Sequence, residues 1–162
     1  MNQEKVFQYL ESKQPEMISF LENLVNIDSG KDNLEGIHQV ASLIKEKLAQ
    51  IGFNEVKLIE TPNAPTHVFG HKKANTLDAK KVMISGHMDT VFPKGTAAAR
   101  PFKMDGNKAF GPGVLDMKSG ITIGLFTMEA LLMNQWQDKD VTVFFCGDEE
   151  TAHPNTNAAE LF

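Results

Sequence analysis

Apolar residues recur at helical spacing in several stretches of the chain. Residues 2–12 and 15–27 read as two helices. The second carries Met17, Ile18, Leu21, Leu24 and Val25 along one side, with Pro15 in its first turn. Asp32 or Asn33 can cap the next helix, in which Ile37, Val40, Ile44, Leu48 and Ile51 form one face and Gly52 is the stop. From Ser119 to about Gln135 a third apolar stripe runs through Ile121, Leu125, Met128, Leu131 and Leu132.

Between these lie strand-like runs. Residues 56–59 and 66–70 are short candidates, and 81–85 and 141–146 are stronger ones. Val82, Met83 and Ile84 are apolar in succession, as in a strand buried on both faces. Residues 101–104 and 108–110 flank Asp105-Gly106-Asn107 as a hairpin. Asn155 or Thr156 can cap a further helix towards Phe162. Helices alternating with buried strands predict an α/β fold, a three-layer sandwich around a largely parallel mixed sheet. In such sheets ligands bind beyond the carboxyl ends of strands.

Composition narrows the function. At 162 residues, with 41% hydrophobic and 23% charged, the chain has the makings of a folded domain with a core. A net charge of −5 argues against nucleic-acid binding, which leaves a basic footprint. Lys72-Lys73 and Lys80-Lys81 read as solvated loop or strand ends. No apolar run approaches membrane-spanning length and no signal core opens the chain, so no membrane partner and a cytoplasmic location are expected. A single cysteine, Cys146, excludes an internal disulfide and reads as a structural thiol.

Three clusters carry candidate chemistry, and two of them follow the stronger strands. In Ser85-Gly86-His87-Met88-Asp89-Thr90, His87 can ligate a metal while Asp89 hydrogen-bonds to the other ring nitrogen. Alone, this triplet reads as an ordinary strand-end histidine with a turn aspartate. Asp116 lies between Gly111-Pro112-Gly113 and a helix, where a capping role would otherwise be the simple reading. Asp148, Glu149 and Glu150 are three consecutive acids after an apolar strand. One glutamate can hold a metal while its neighbour serves as general base. Together the clusters supply an imidazole, carboxylates and a spare carboxylate for proton transfer, the kit of a hydrolytic metal centre. His38, His67 and His71 read as surface or packing residues, and His153 as a loop residue.

The stretches 85–93, 109–120 and 147–151 resemble metallopeptidase family 20, the co-catalytic zinc peptidases and deacylases, and within it the bacterial glutamate carboxypeptidase branch. The resemblance implies that His87 binds one metal, Asp116 bridges two and Glu150 binds the second. It implies that Glu149 is the general base, that Asp89 orients His87, and that a non-prolyl cis peptide follows Asp116. The implied cofactor is Zn2+, two per site, with Co2+ or Mn2+ as substitutes. The implied substrate is a small peptide or N-acyl amino acid, cleaved at an amide beside a free carboxylate in a homodimeric parent protein.

The family draws two further ligands, a lid or dimerisation domain and the rest of the catalytic domain from downstream sequence. Residues 1–162 are therefore expected to be the N-terminal part of the catalytic domain, inactive by itself. Residues 152–155 depart from the family's Gly/Ser-rich pattern. Two alternatives stay open: a deacylase of the desuccinylase or deacetylase type, and a non-catalytic metal-binding remnant.

Overall fold

The computed structural model describes residues 2–150. In chain order it contains α1 (Gln3–Val25), α2 (Leu34–Gln50), β1 (Glu55–Ile59), β2 (His67–Lys72), β3 (Lys81–His87), α3 (Thr96–Ala99), β4 (Lys103–Asp105), β5 (Lys108–Phe110), α4 (Ser119–Met133) and β6 (Asp140–Cys146). The helix expected over 155–162 lies outside the described residues.

The two N-terminal helices expected from sequence are one. Pro15 sits inside α1 and cannot donate to the Glu11 carbonyl, but both residues are exposed and water can serve that oxygen. α2 begins at Asn33, whose side chain accepts from the Gly36 N–H. Its apolar stripe is buried as predicted, with Ile37, Val40, Ile44 and Leu48 fully covered.

The main sheet has the order β1-β2-β6-β3. β1 with β2, and β2 with β6, are antiparallel; β3 with β6 is parallel. The expected α/β architecture with a mixed sheet is present, though parallel pairing is confined to one of the three strand pairs described in this sheet. That pair has the most bearing on function. A strand, a crossover through α4 and a parallel neighbour bring two carboxyl ends side by side, with His87 opposite Cys146.

Val68, Val143 and Phe145 share one face of the sheet by register and join a single core with Leu24 of α1, the α2 stripe, and Ile121, Leu125 and Met128 of α4. All three long helices therefore cover the same face. A buried Lys47–Glu129 ion pair at 2.5 Å joins α2 to α4, and the Tyr9 hydroxyl donates to Glu129 from α1.

Of the three layers expected, the described residues form two. Met83 points to the face that carries no helix among the described residues and is 50% exposed, while Val82 is 41% exposed. The reading of residues 82–84 as buried on both faces is corrected here. Among the described residues β3 is an edge strand, with β6 as its one partner in the sheet.

Candidate metal centre

β3 ends at His87 and β6 at Cys146, and the Met88 N–H donates to the Cys146 carbonyl at 2.7 Å. The histidine and the acidic loop after β6 thus leave the sheet together. Asp116 arrives on a separate segment, a wide turn at Val114–Lys118 entered through Gly113 at φ 72. A Cβ at Gly113 would come within 2.6 Å of the Thr90 methyl, so this left-handed, crowded position needs glycine. The Asp116–Met117 peptide is cis.

The His87 ring is buried. Its Nδ1 lies 3.1 Å from the Asp89 carbonyl and 3.4 Å from Asp89 Oδ1, so that nitrogen carries the proton. Nε2 points to Asp116 Oδ1 at 3.0 Å, with Glu149 Oε2 at 4.0 Å. Ligand atoms of His87, Asp116 and Glu150 all lie within 4.8 Å of one another. Glu149, with its side chain 58% exposed, stands at the open side.

Asp89 does more than the His-x-Asp spacing suggests. It is 1% exposed, and its carboxylate also accepts the backbone N–H groups of Glu149 at 3.2 Å and Glu150 at 2.8 Å. One aspartate therefore ties the histidine to the acidic loop.

Electrostatics give the cluster a direction. Hydrogen bonding to Asp89, and then to Asp116, outweighs burial and lifts the His87 imidazole to about 9. The Glu150 carboxyl is pushed up by burial, then by the Asp116 and Glu149 charges, with His87 opposing. Acids crowded around one imidazole demand positive charge. Mixed nitrogen and oxygen donors suit zinc and similar divalent ions. A spacing of 3.0 Å between Nε2 and Oδ1 is compatible with bonds of about 2.0–2.2 Å to a shared ion. The residues present fit such a cofactor.

A cleft of about 220 Å³ opens beside the acids, lined by Thr90, Val91, Phe92, Val114, Asp116 and Glu150 among others.

Three supports were not visible in the sequence. Lys118 is 1% exposed, and its ammonium donates to the Leu24 and Ile27 carbonyls at 2.9 Å each, fastening the Asp116 turn to the end of α1. Burial lowers its pKa to about 8. Asp28 accepts from the Gly95 and Ala97 N–H groups, and Ser29 donates to the Met88 carbonyl, so residues 28 and 29 hold the segment after β3. His67, read from sequence as a surface or packing residue, is fully buried, and its Nδ1 accepts from the Gly147 N–H at 3.2 Å. Burial holds its pKa below the ordinary histidine value. A lysine after a helix-breaking loop or a histidine opening a short strand carries no such signal, because each contact spans about 80 residues or more. Cys146 is half-buried, and burial pushes its thiol up to about 11, as befits a structural thiol. His153 lies outside the described residues.

An α/β domain with imidazole and carboxylate donors gathered beyond the ends of parallel strands has the layout of a metal-dependent hydrolase. Comparison with known proteins makes the class specific. The sequence profile of Peptidase family M20/M25/M40 matches residues 83–161. Carboxypeptidase G2 of Pseudomonas sp. (strain RS-16) is 33% identical over 153 residues, covering 90% of this chain and 35% of that protein. Succinyl-diaminopimelate desuccinylase of Corynebacterium glutamicum is 28% identical over 135 residues, covering 76% of this chain and 34% of that protein. Human carnosine dipeptidase 1 shares the fold with a TM-score of 0.80 at 19% identity, over 98% of this chain and 36% of that one.

The chain belongs to peptidase family M20, a family of metal-dependent hydrolases. It spans about a third of the length of the curated relatives it matches. No helix among the described residues is long and apolar enough to cross a membrane.

Proposed function

We propose that this chain is the N-terminal part of the catalytic domain of a metallocarboxypeptidase, a parent protein that releases a C-terminal amino acid by amide hydrolysis. The observation that carries the reading is the convergence of His87, Asp116 and Glu150 within 4.8 Å from three separate segments. In the parent, His87 Nε2 and Glu150 would each hold one divalent cation, and Asp116, with two carboxylate oxygens, would bridge them. Zinc is the proposed ion. A bound metal pair would supply a water of lowered pKa and electrophilic stabilisation of the developing oxyanion.

The remaining steps belong to protein side chains. Asp89 keeps the proton on His87 Nδ1 and so presents Nε2 to the ligand side. Glu149, its carboxylate exposed at the mouth and its backbone amide held by Asp89, takes the proton of the attacking water and returns it to the leaving nitrogen. Val91, Phe92 and Val114 give the adjoining cleft an apolar wall for the non-polar part of the substrate. Further ligands, a lid and a dimer contact are proposed to lie in the remainder of the parent.

A glutamate-releasing activity is favoured by the likeness to carboxypeptidase G2, and an N-deacylase is the second reading, favoured by the likeness to the desuccinylase. Two experiments test the proposal. Metal analysis and Co2+ titration of the purified 162-residue chain should show stoichiometric binding that is lost in His87→Ala and Asp116→Ala. Assay of the parent should release a free C-terminal amino acid from dipeptide or N-acylglutamate substrates. Release of acetate or succinate alone would favour the deacylase. Absence of any divalent-ion binding in both chain and parent would overturn the metal centre itself.

A further inference from the structure

His67 is an expensive residue for its position. It is fully buried at the start of β2, and its ring stacks on Phe144 with centroids 5.7 Å apart. The Gly147 N–H donates to Nδ1 at 3.2 Å, so Nδ1 is unprotonated and the ring proton sits on Nε2. That Nε2–H is buried without a hydrogen-bond partner among the described residues. Leaving a buried donor unmet is destabilising. Phenylalanine would fill the same space and stack on the same ring at no such cost. What histidine offers over phenylalanine here is the Nδ1 acceptor, and its one donor is the first residue of the acidic loop.

That residue has little freedom. A Cβ on Gly147 would lie 2.6 Å from the Thr66 carbonyl oxygen, 2.7 Å from the Ile37 Cγ2 and 3.2 Å from Pro65 Cβ. The loop is thus gripped at Gly147 from β2 and its preceding turn, and at the Glu149 and Glu150 amides by Asp89. Only Asp148 lies between the two grips, with Oδ1 3.9 Å from the His67 ring. A backbone held at both ends of a three-residue span aims both glutamates.

Building on the metal centre proposed above, we infer that His67 is a positioning residue for this loop. Its neutral Nδ1 fixes Gly147, and through it the departure of Glu149 and Glu150 towards the metal site. It touches neither ion nor substrate. The role needs the Nε2–H tautomer and an acceptor at the Nδ1 position, and no other property of the ring.

The test uses three variants of the full chain. Asparagine places its amide oxygen near Nδ1, glutamine reaches towards Nε2, and phenylalanine keeps the shape with no acceptor. Long-range 1H–15N spectra of the wild type should show the Nε2–H tautomer at His67; an Nδ1–H tautomer would overturn the inference. In 1H–15N correlation spectra, His67→Phe and His67→Gln should shift the amides of Gly147, Glu149 and Glu150, and His67→Asn should leave them near wild-type positions. Co2+ affinity should fall about tenfold in the Phe and Gln variants and recover to within about threefold in Asn, the scale of support lost around a metal ligand.

Equal affinities and equal loop amides across all three variants, whatever their melting temperatures, would reduce His67 to a packing residue. If His67→Phe does not fold, the Asn and Gln pair decides alone. If the wild-type chain binds no divalent ion, the metal-centre proposal passes to the parent protein for its test, while tautomer and loop amides still decide the role of His67.

Discussion

Asp89→Asn is the sharpest probe of how the site is assembled, because the carboxylate faces two ways. Towards β6 it accepts two backbone N–H groups, at 2.8 and 3.2 Å; towards β3 it faces the His87 ring nitrogen at 3.4 Å. Asparagine preserves volume but offers one oxygen and one NH2. One of the loop amides must then meet a donor. Hydrogen bonds to an ionised group contribute about 1.5–3 kcal/mol, and an unmet buried donor costs about 1–3 kcal/mol. Removing a negative charge from a crowd of acids offsets part of this, so a net loss of about 2 kcal/mol is expected.

For a chain of this size that lowers the melting temperature by about 4–8 °C. The assay is thermal unfolding in the presence of a chelator, followed by Co2+ titration of the folded protein. Affinity should fall about 10–100-fold, since His87 keeps the Asp89 backbone carbonyl on Nδ1 but loses the carboxylate charge beside it, and the acid loop loses its second grip. An unchanged melting temperature with weakened metal binding would refute the loop half of the argument and leave Asp89 as a histidine partner only. Unchanged values of both would refute it entirely.

Lys118→Met should destabilise the chain by about 2–4 kcal/mol in chemical denaturation, because it leaves the Leu24 and Ile27 carbonyls buried without their donor; a loss below about 1 kcal/mol would show that water takes its place. Gly147→Ala and Gly86→Ala make a matched pair. The first pushes a Cβ against the Thr66 backbone carbonyl at 2.6 Å and should cost about 1–3 kcal/mol, whereas the second meets side chains alone, the flexible end of Met117 at 2.8 Å and Phe145 Cδ1 at 3.3 Å, and should cost less than the first by the same measurement. Equal costs would mean that the loop can slide.

His67 has a folded pKa below 6.5, so the unfolded chain takes up its proton first as pH falls. Its contribution is complete above pH 6.5 and declines below it until the lowered folded value is reached. The stability difference between wild type and His67→Asn should therefore shrink between pH 7 and 5. A difference that stays flat across that range would contradict the burial of a neutral ring.

The parts of this molecule that were legible in sequence are those with local causes. The α2 stripe, its Asn33 cap and the hairpin around Gly106 follow from spacing and turn chemistry within a dozen residues. The candidate ligands were legible because each stands at the end of an apolar run or a glycine-rich loop, and a parallel pair such as β3 and β6 must bring its carboxyl ends together.

What stayed hidden depends on neighbours distant in the chain. Pro15 reads as a helix start unless one knows that its side of α1 faces water. The Val82-Met83-Ile84 run reads as central because strand content resembles burial, yet exposure is set by what lies across the sheet. Lys118 and His67 escape for the same reason. Each is polar, buried and bonded to backbone about 80 or more residues away, so no local pattern marks it. Ligands can be chosen by residue type, but the groups that aim them are chosen by the fold. Their substitution should therefore alter metal affinity and loop geometry while every ligand remains in place.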